Sequence, residues 1–282
     1  MTPHRTLEPP LRPEPFMVKP PELIQDAIML LHGTSSDGIS FGQELSEQIN
    51  FGLLLPHTKL IFPSGSLRKT TVFDGRDTNA WFDIANFSDR TLGEQQQMEG
   101  LRSSVEYLGR FIQDVVNYES RDKNFRLFVG GLSQGCAMSM ILLLSGELDR
   151  LKVSQNIGGF VGLSGWLPFA NQIDEIAAVG EGWREKRIHV QKWLRRELEL
   201  QPWLPWDGTL PAEEHMTIFL AHGTSDEKVK LEWGMAMGRV LEMVGYKVEW
   251  KLYEGMGHIT TPEELADMTQ FIKYQSGMQM GR

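Results

Sequence analysis

Short runs of apolar residues alternate along the chain with longer stretches in which apolar positions recur every three or four residues. The apolar runs cover residues 27–33, 59–63, 126–131, 158–165, 216–223 and 247–255. Continuous apolar runs, rather than alternation with polar residues, predict strands buried on both faces of a parallel sheet. The longer stretches predict helices at about 91–119, 133–144, 228–244 and 262–275. This order predicts an α/β fold with a mostly parallel central sheet and helices on both faces.

Two stretches depart from this alternation. Residues 1–21 hold seven of the fourteen prolines, which predicts an extended arm that either lies on the domain or is disordered. Residues 170–212 form a helical insert with four of the eight tryptophans, Trp183, Trp193, Trp203 and Trp206. The insert is a lid over a pocket, a structural cap, or a contact surface for a partner or a membrane. We therefore expect a proline-rich arm at 1–22 and a single domain at 23–282.

Composition narrows the class of protein. A chain of 282 residues that is 41% hydrophobic can bury one large core. Its formal net charge of −9 argues against a nucleic-acid partner. Cys136 is the only cysteine, so neither an intramolecular disulfide nor a thiolate zinc site can form. Without a signal-peptide pattern or an apolar run long enough to cross a bilayer, we expect a cytoplasmic protein with no stable membrane insertion.

The segment Gly131-Leu132-Ser133-Gln134-Gly135 lies between a predicted strand and a predicted helix. This is the context of a nucleophile elbow, a strained turn that exposes a serine hydroxyl at the carboxyl edge of the sheet. Glycines on either side remove the side chains that would collide in so sharp a turn. The pattern predicts that Ser133 is a nucleophile, and a simple turn serine is the alternative.

A serine hydroxyl needs a base within hydrogen-bond reach and a carboxylate that orients the base. Asp226 follows one later strand and His258 follows the last one, in the chain order Ser, Asp, His. Both loops are expected at the same sheet edge as Ser133, unless Asp226 is a surface acid or His258 only braces its loop. Glu227 is the alternative acid. His222 and His32, each at a strand end before a glycine, are expected to be structural.

Negative charge that develops on a substrate oxygen needs two backbone N–H donors. The amide of Gln134, directly after the nucleophile, is the first expected donor. The segment LLHGTSSDG at 30–38 follows an early strand, and its Gly33 lets the backbone come close. We expect the Thr34 amide to be the second donor of this oxyanion hole.

At this point the sequence resembles the acyl-protein thioesterase/carboxylesterase family, also called the phospholipase/carboxylesterase family, of the α/β-hydrolase fold. Six segments carry the resemblance over roughly 24–169 and 213–276: LHGTSSDG, AWFDI, GGLSQGCAMS, LSGWLP, AHGTSDEKV and MGHIT. The resemblance implies a triad of Ser133, Asp226 and His258, oxyanion donors Thr34 and Gln134, and no metal or organic cofactor. Ser35-Ser36-Asp37 replaces the Gly-Asp that many members have, which changes the rim of the oxyanion loop.

The resemblance also implies a reaction and a substrate class. Family members hydrolyse carboxylic esters, and some remove palmitoyl groups from protein cysteines, so an acyl ester or thioester is the expected substrate, including one on an acylated protein. The alternatives are a small-molecule carboxylesterase of secondary or plant-derived metabolites and an inactive fold that binds a ligand or partner. Trp81, Phe82 and Trp166 are expected to contact the substrate, with plain core packing as the alternative.

Overall fold

The computed structural model describes residues 12–119, 124–203 and 216–277. Within them, a seven-stranded sheet has the order β1-β3-β2-β6-β7-β8-β9, and β4 and β5 form a separate antiparallel hairpin. Only β1 runs antiparallel to its neighbour in the large sheet. The strands are β1 Phe16–Val18, β2 Asp26–Leu31, β3 Thr58–Phe62, β4 Ser66–Thr70, β5 Arg76–Ala80, β6 Arg126–Leu132, β7 Ile157–Leu163, β8 Thr217–Gly223 and β9 Lys247–Tyr253.

All six strands predicted from apolar runs are present as β2, β3, β6, β7, β8 and β9. The search for continuous apolar runs does not find β1, which is three residues long and lies in the proline-rich stretch. It also missed the hairpin, whose strands are mostly polar. Of the predicted arm, residues 1–11 lie outside the described residues, and β1 pairs with β3 and so forms one edge of the sheet.

Helices connect the strands and cover both faces of the sheet. They are α1 Gly38–Gln48, α2 Phe51–Leu54, α3 Glu94–Glu119, α4 Gln134–Leu144, α5 Glu147–Arg150, α6 Ala170–Ala178, α7 Trp183–Glu197, α8 Leu231–Met243 and α9 Pro262–Ser276. The four helices predicted outside the insert are confirmed as α3, α4, α8 and α9. The start of α9 follows its sequence signals, because Thr261 caps the helix and Pro262 is its first residue. None of the described helices is both long and apolar enough to cross a membrane.

The sheet separates two hydrophobic cores. Along β2, which is fully buried, Ala27, Met29 and Leu31 point into the core that holds α3, α4 and the insert helices α6 and α7. The alternate residues Ile28 and Leu30 point into the core that holds α1 and α9. Burial on both faces explains why β2 is continuously apolar, and it confirms a doubly covered α/β sheet.

The second insert helix, α7, packs against the far end of α4. The buried Arg195 donates to the carbonyl oxygen of Ser145 at 2.9 Å and pairs with the buried Glu147 at 3.1 Å. Arg187 donates to the carbonyl oxygen of Val244 at the end of α8, at 2.8 Å. Since Ser133 lies at the other end of α4, about 16 Å along the axis, α7 caps the core and does not cover Ser133. Residues 204–212 of the insert, with Trp206, lie outside the described residues.

Glu264 is a buried carboxyl group in the first turn of α9. Neither carboxyl oxygen has a hydrogen-bond partner among the described residues. Burial raises the pKa of Glu264 to about 8, and the negative charge of Asp226 acts in the same direction. Because the folded-state pKa is the higher one, the protonated acid stabilises the fold below the unfolded-state pKa of about 4.5. That stability is lost as the pH rises through about 8.

Glu264→Gln is therefore expected to remove this pH dependence. At pH 9 the variant should be more stable than the wild type by ~5 kcal/mol, while at pH 4 the two should be nearly equal. Urea unfolding at both pH values measures the difference, and Glu263→Gln, next in the chain but exposed, is the matched control. Parallel pH profiles for Glu264→Gln and wild type would refute the buried neutral acid.

Candidate active site

The turn between β6 and α4 holds Ser133 in a strained conformation. Its φ of 56° and ψ of −115° are unusual for a residue with a side chain. A Cβ atom on Gly131 or on Gly135 would collide with the carbonyl oxygen of Leu31. Both flanking positions therefore require glycine. The geometry is that of a nucleophile elbow at the carboxyl edge of the sheet.

The structure brings Ser133, His258 and Asp226 together at this edge. The Oγ of Ser133 lies 3.0 Å from Nε2 of His258, and Nδ1 of His258 lies 2.7 Å from Oδ2 of Asp226. Asp226 follows β8 and His258 follows β9, so the parallel sheet delivers both loops to the end of β6. The Asp226 side chain is completely buried, while that of His258 keeps 13% of its surface exposed. A base in this position can reach both the serine and a substrate.

Asp226 is held as a charged carboxylate. Burial opposes its ionisation, but hydrogen bonds from His258 and from the Val229 and Lys228 amides outweigh burial and lower its pKa. Both amides donate to Oδ1, at 2.8 and 2.9 Å, which leaves Oδ2 for His258. The carboxylate thereby keeps the His258 proton on Nδ1 and leaves Nε2 free to accept one. The alternative acid, Glu227, is exposed on the cavity wall and makes no described hydrogen bond to His258.

Two further histidines support the loops of the site. His32 accepts a hydrogen bond at Nε2 from the Gly65 amide, 2.8 Å away, so its Nδ1 donates to the carbonyl oxygen of Gly33, 2.6 Å away. Burial lowers the pKa of His32 to about 4, which keeps the ring neutral. His222 donates from Nε2 to the carbonyl oxygen of Val229, 2.8 Å away. The rings of His32 and His222 are therefore buried structural groups.

The expected oxyanion donors flank the serine. Gln134 is the first residue of α4, so its amide has no partner within the helix. Its side chain is engaged elsewhere, because it accepts from the Trp81 amide at 3.1 Å and donates to the Phe82 carbonyl oxygen at 2.8 Å. Thr34 lies on the wall of the cavity at Ser133. A Cβ on Gly33 would be 3.6 Å from the Ser133 Cβ, so the Thr34 loop runs directly past the serine.

Ser133 and His258 line a cavity of about 540 Å³. Its apolar walls include three phenylalanines from separate segments, Phe41, Phe73 and Phe87. Its charged wall residues are Glu44, Arg90, Glu227 and Lys228. Sequence reasoning offers Glu227 only as an alternative acid and does not identify the other six as cavity residues, because their positions beside Ser133 depend on how separate segments pack. The cavity can hold an apolar group beside the serine, and charged side chains of the protein lie on the same walls.

The structure does not bring Trp81 or Phe82 to this cavity. Both side chains are completely buried, and the Trp81 indole N–H donates to the carbonyl oxygen of His32 at 3.0 Å. Phe82 packs edge-on against Trp166, with ring centroids 6.1 Å apart. Trp166 lines a second, smaller cavity of about 160 Å³. Trp81 and Phe82 come directly after the hairpin of β4 and β5 and lie in the core that holds α3 and α4. There the two aromatic rings support the walls of the site.

Comparison with known proteins gives relatives over most of the chain. The chain is 27% identical over 248 residues to acyl-protein thioesterase 1 of Yarrowia lipolytica, covering 87% of this chain and 90% of that protein. A probable carboxylesterase of Oryza sativa is 26% identical, covering 87% of this chain and 76% of that protein. The crystal structure of Zea mays acyl-protein thioesterase 2 matches with a TM-score of 0.67 and 26% identity, covering 94% of this chain and 99% of that one.

The family-level comparison covers nearly the whole described chain. The sequence signature of one family, described as phospholipase/carboxylesterase, matches residues 13–192 and 187–276. Both matches together include the serine elbow and the two loops that approach it. The fold is that of an α/β-hydrolase, which it shares with a Bacillus cereus carboxylesterase at a TM-score of 0.59 and 15% identity, covering 93% of this chain and 94% of that one. This chain belongs to the phospholipase/carboxylesterase family of α/β-hydrolases.

Proposed function

We propose that this protein is a serine hydrolase that cleaves carboxylic esters or acyl thioesters through an acyl-enzyme. The observation that carries the proposal is the continuous chain of contacts from Asp226 through His258 to Ser133, at the wall of an open cavity. In this proposal Ser133, His258 and Asp226 are the catalytic residues. Relatives named as thioesterases and carboxylesterases support the same reaction class.

Acylation begins with proton transfer from Ser133 to His258. As Oγ attacks the substrate carbonyl carbon, Nε2 of His258 takes the hydroxyl proton, and the charged Asp226 stabilises the imidazolium that forms. The carbonyl oxygen becomes an oxyanion, which the amides of Thr34 and Gln134 stabilise. The tetrahedral intermediate then collapses, the bond to the leaving oxygen or sulfur breaks, and His258 returns its proton to the alcohol or thiol that leaves.

Deacylation repeats these steps with water as the nucleophile. His258 takes a proton from the water molecule as its oxygen attacks the acyl carbon of the Ser133 ester. Collapse of the second tetrahedral intermediate breaks the bond to Ser133 Oγ, which regains its proton from His258. The carboxylic acid is released and the enzyme is restored, with no cofactor or metal taking part in the proposed mechanism.

The substrate is an acyl group that the phenylalanines of the cavity can contact, with an alcohol or thiol leaving group. The names of the thioesterase relatives support an acylated protein as the carrier of that group. Charged side chains on the same walls, Arg90 and Lys228 among them, favour a second candidate, a small-molecule carboxylesterase for polar esters. Both candidates share the catalytic residues and differ in the molecule that is bound.

Rates on matched thioesters and oxyesters from acetyl to palmitoyl test the proposal. Each methylene buried against the phenylalanine walls should raise kcat/KM by about fourfold, since it contributes about 0.8 kcal/mol, until the chain fills the cavity. A rise that continues to long thioesters favours the acyl-protein thioesterase, and a maximum at short oxyesters favours the small-molecule carboxylesterase. A fluorophosphonate probe should label Ser133, and a protein that neither reacts with the probe nor cleaves any ester would be an inactive fold.

A further inference from the structure

The side chain of Arg90 lies between the two cavities of the carboxyl edge. It lines the 540 Å³ cavity that Ser133 and His258 share, and it also lines the 160 Å³ cavity beside Trp166 and Trp233. Arg90 belongs to the loop between β5 and α3, which has no catalytic motif. Any substrate that extends from Ser133 toward the smaller cavity meets this guanidinium group.

Contacts on several sides hold the guanidinium group in place. Nη1 donates to the carbonyl oxygen of Asn86 and Nη2 to that of Lys228, both at 3.3 Å. The group lies over the ring of Trp166, 4.3 Å from its centroid, and within 6 Å of two more aromatic rings. These contacts use one N–H of each terminal nitrogen, so a second N–H remains on each. Arg90 is therefore preorganised and still able to donate.

Arg90 forms no direct ion pair in the part of the chain that the structure describes. Among the described residues, none of the Asp or Glu oxygens lies within 4.0 Å of its nitrogens, whereas the buried Arg195 is paired with Glu147 at 3.1 Å. Burial lowers the pKa of Arg90 to about 10 although the charge of Asp226 acts to raise it, so the group remains a cation at neutral pH. A partly desolvated cation without a directly paired carboxylate is costly, and an anion from outside would lower that cost.

The other charged groups on the wall are less suited to bind an anion. Glu44 and Glu227 are exposed carboxylates, which water screens and which repel an anion at the cavity mouth. Lys228 is exposed and well solvated. Arg90 combines restricted solvent with a fixed, forked donor pair that matches the two oxygens of a carboxylate.

We propose that Arg90 binds a carboxylate group of the substrate and so selects esters or thioesters that carry one. This inference rests on the proposed hydrolase function and adds a specificity determinant to it. The carboxylate belongs either to the acyl part or to the leaving group, and in both cases it lies on the Arg90 wall while the scissile carbonyl lies at Ser133. Arg90 takes no part in bond breaking.

Two pairs of chromogenic esters test the proposal and separate these sources. The first pair is 4-nitrophenyl hydrogen adipate and its terminal carboxamide analogue, which place the charge in the acyl part. The second pair is 3-carboxy-4-nitrophenyl butyrate and its 3-carbamoyl analogue, which place it in the leaving group. In the wild type, kcat/KM for the carboxylate should exceed that for the carboxamide by about tenfold or more in at least one pair.

Arg90→Gln should lower that preference about tenfold while kcat/KM for the carboxamide changes by no more than about threefold. Arg90→Lys keeps the charge but not the forked donor pair, so its preference should be intermediate. Lys230→Gln is the matched control: Lys230 also lies over the Trp233 ring, but it is paired with Glu232 and lines neither cavity. Its preference should stay within about twofold of the wild type.

A wild type without preference in either pair would overturn the assignment, and this measurement needs no variant to fold. An equal loss on carboxylate and carboxamide in Arg90→Gln would also overturn it and would make Arg90 a structural contact between two loops. Ser133→Ala tests the proposed hydrolase function separately. If this variant still hydrolysed all four esters, that function would fail, whatever the result for Arg90.

Discussion

Replacing Ser133 by alanine is expected to lower kcat by on the order of 10⁶, as removal of the nucleophile does in serine hydrolases. The variant keeps the fold, because alanine fits a turn whose close contacts are made by Gly131 and Gly135. It loses the only oxygen that lies within hydrogen-bond distance of His258 Nε2 among the described residues. Binding and the oxyanion donors remain, so a small residual rate above that of water is expected.

Steady-state rates on the best ester of the chain-length series measure this loss. Ser139→Ala is the matched control, because Ser139 is a buried serine of the same helix whose hydroxyl donates to the Cys136 carbonyl oxygen, away from His258. That control should keep kcat within a few-fold of the wild type, at a cost of about 1 kcal/mol in stability. If Ser133→Ala retained a tenth of the wild-type rate, Ser133 would not be the nucleophile.

Asp226→Asn is expected to lower kcat by about 10⁴ with little change in structure. Oδ1 of Asp226 accepts hydrogen bonds from the Lys228 and Val229 amides, so the asparagine oxygen must occupy that position. Its NH₂ group then faces Nδ1 of His258 as a donor. The imidazole must accept there, which moves its proton to Nε2, and Nε2 can no longer take the proton of Ser133.

Neutral-pH kinetics compare this variant with Glu227→Gln, which removes the same charge from the next residue in the chain. Glu227 is exposed and makes no described hydrogen bond to His258, so its substitution should change kcat far less than that of Asp226. A larger loss for Glu227→Gln than for Asp226→Asn would make Glu227 the orienting acid. Unfolding curves for both variants separate catalytic loss from loss of the folded state.

Local sequence predicted the large sheet and its principal helices well, since burial on two faces leaves continuous apolar runs. The weakest predictions concern elements whose stability comes from neighbours. Strand β1 has only three residues and exists because it pairs with β3. The hairpin of β4 and β5 is polar, so its five-residue pairing is not visible in hydrophobic periodicity.

The aromatic residues of the AWFDI segment show a second limit. An aromatic residue close to a catalytic motif packs equally well into a core or onto a cavity wall, and the sequence contains no signal that separates the two. The structure buries Trp81 and Phe82 completely and places Phe41, Phe73 and Phe87 on the cavity instead. This choice depends on the direction of each side chain, which the packing of α3 and α4 against the sheet decides.

The sequence by itself determined the family, the fold class and the candidates Ser133, Asp226 and His258. It could do so because a nucleophile elbow is a local structure with its own glycine requirement, and because strands of a parallel sheet end at one edge. Only the tertiary structure decided the distances among these groups, the bonding of Asp226, the position of α7 away from the serine and the position of Arg90 between the two cavities. Those properties depend on contacts between segments far apart in the chain, and packing of the whole domain sets them.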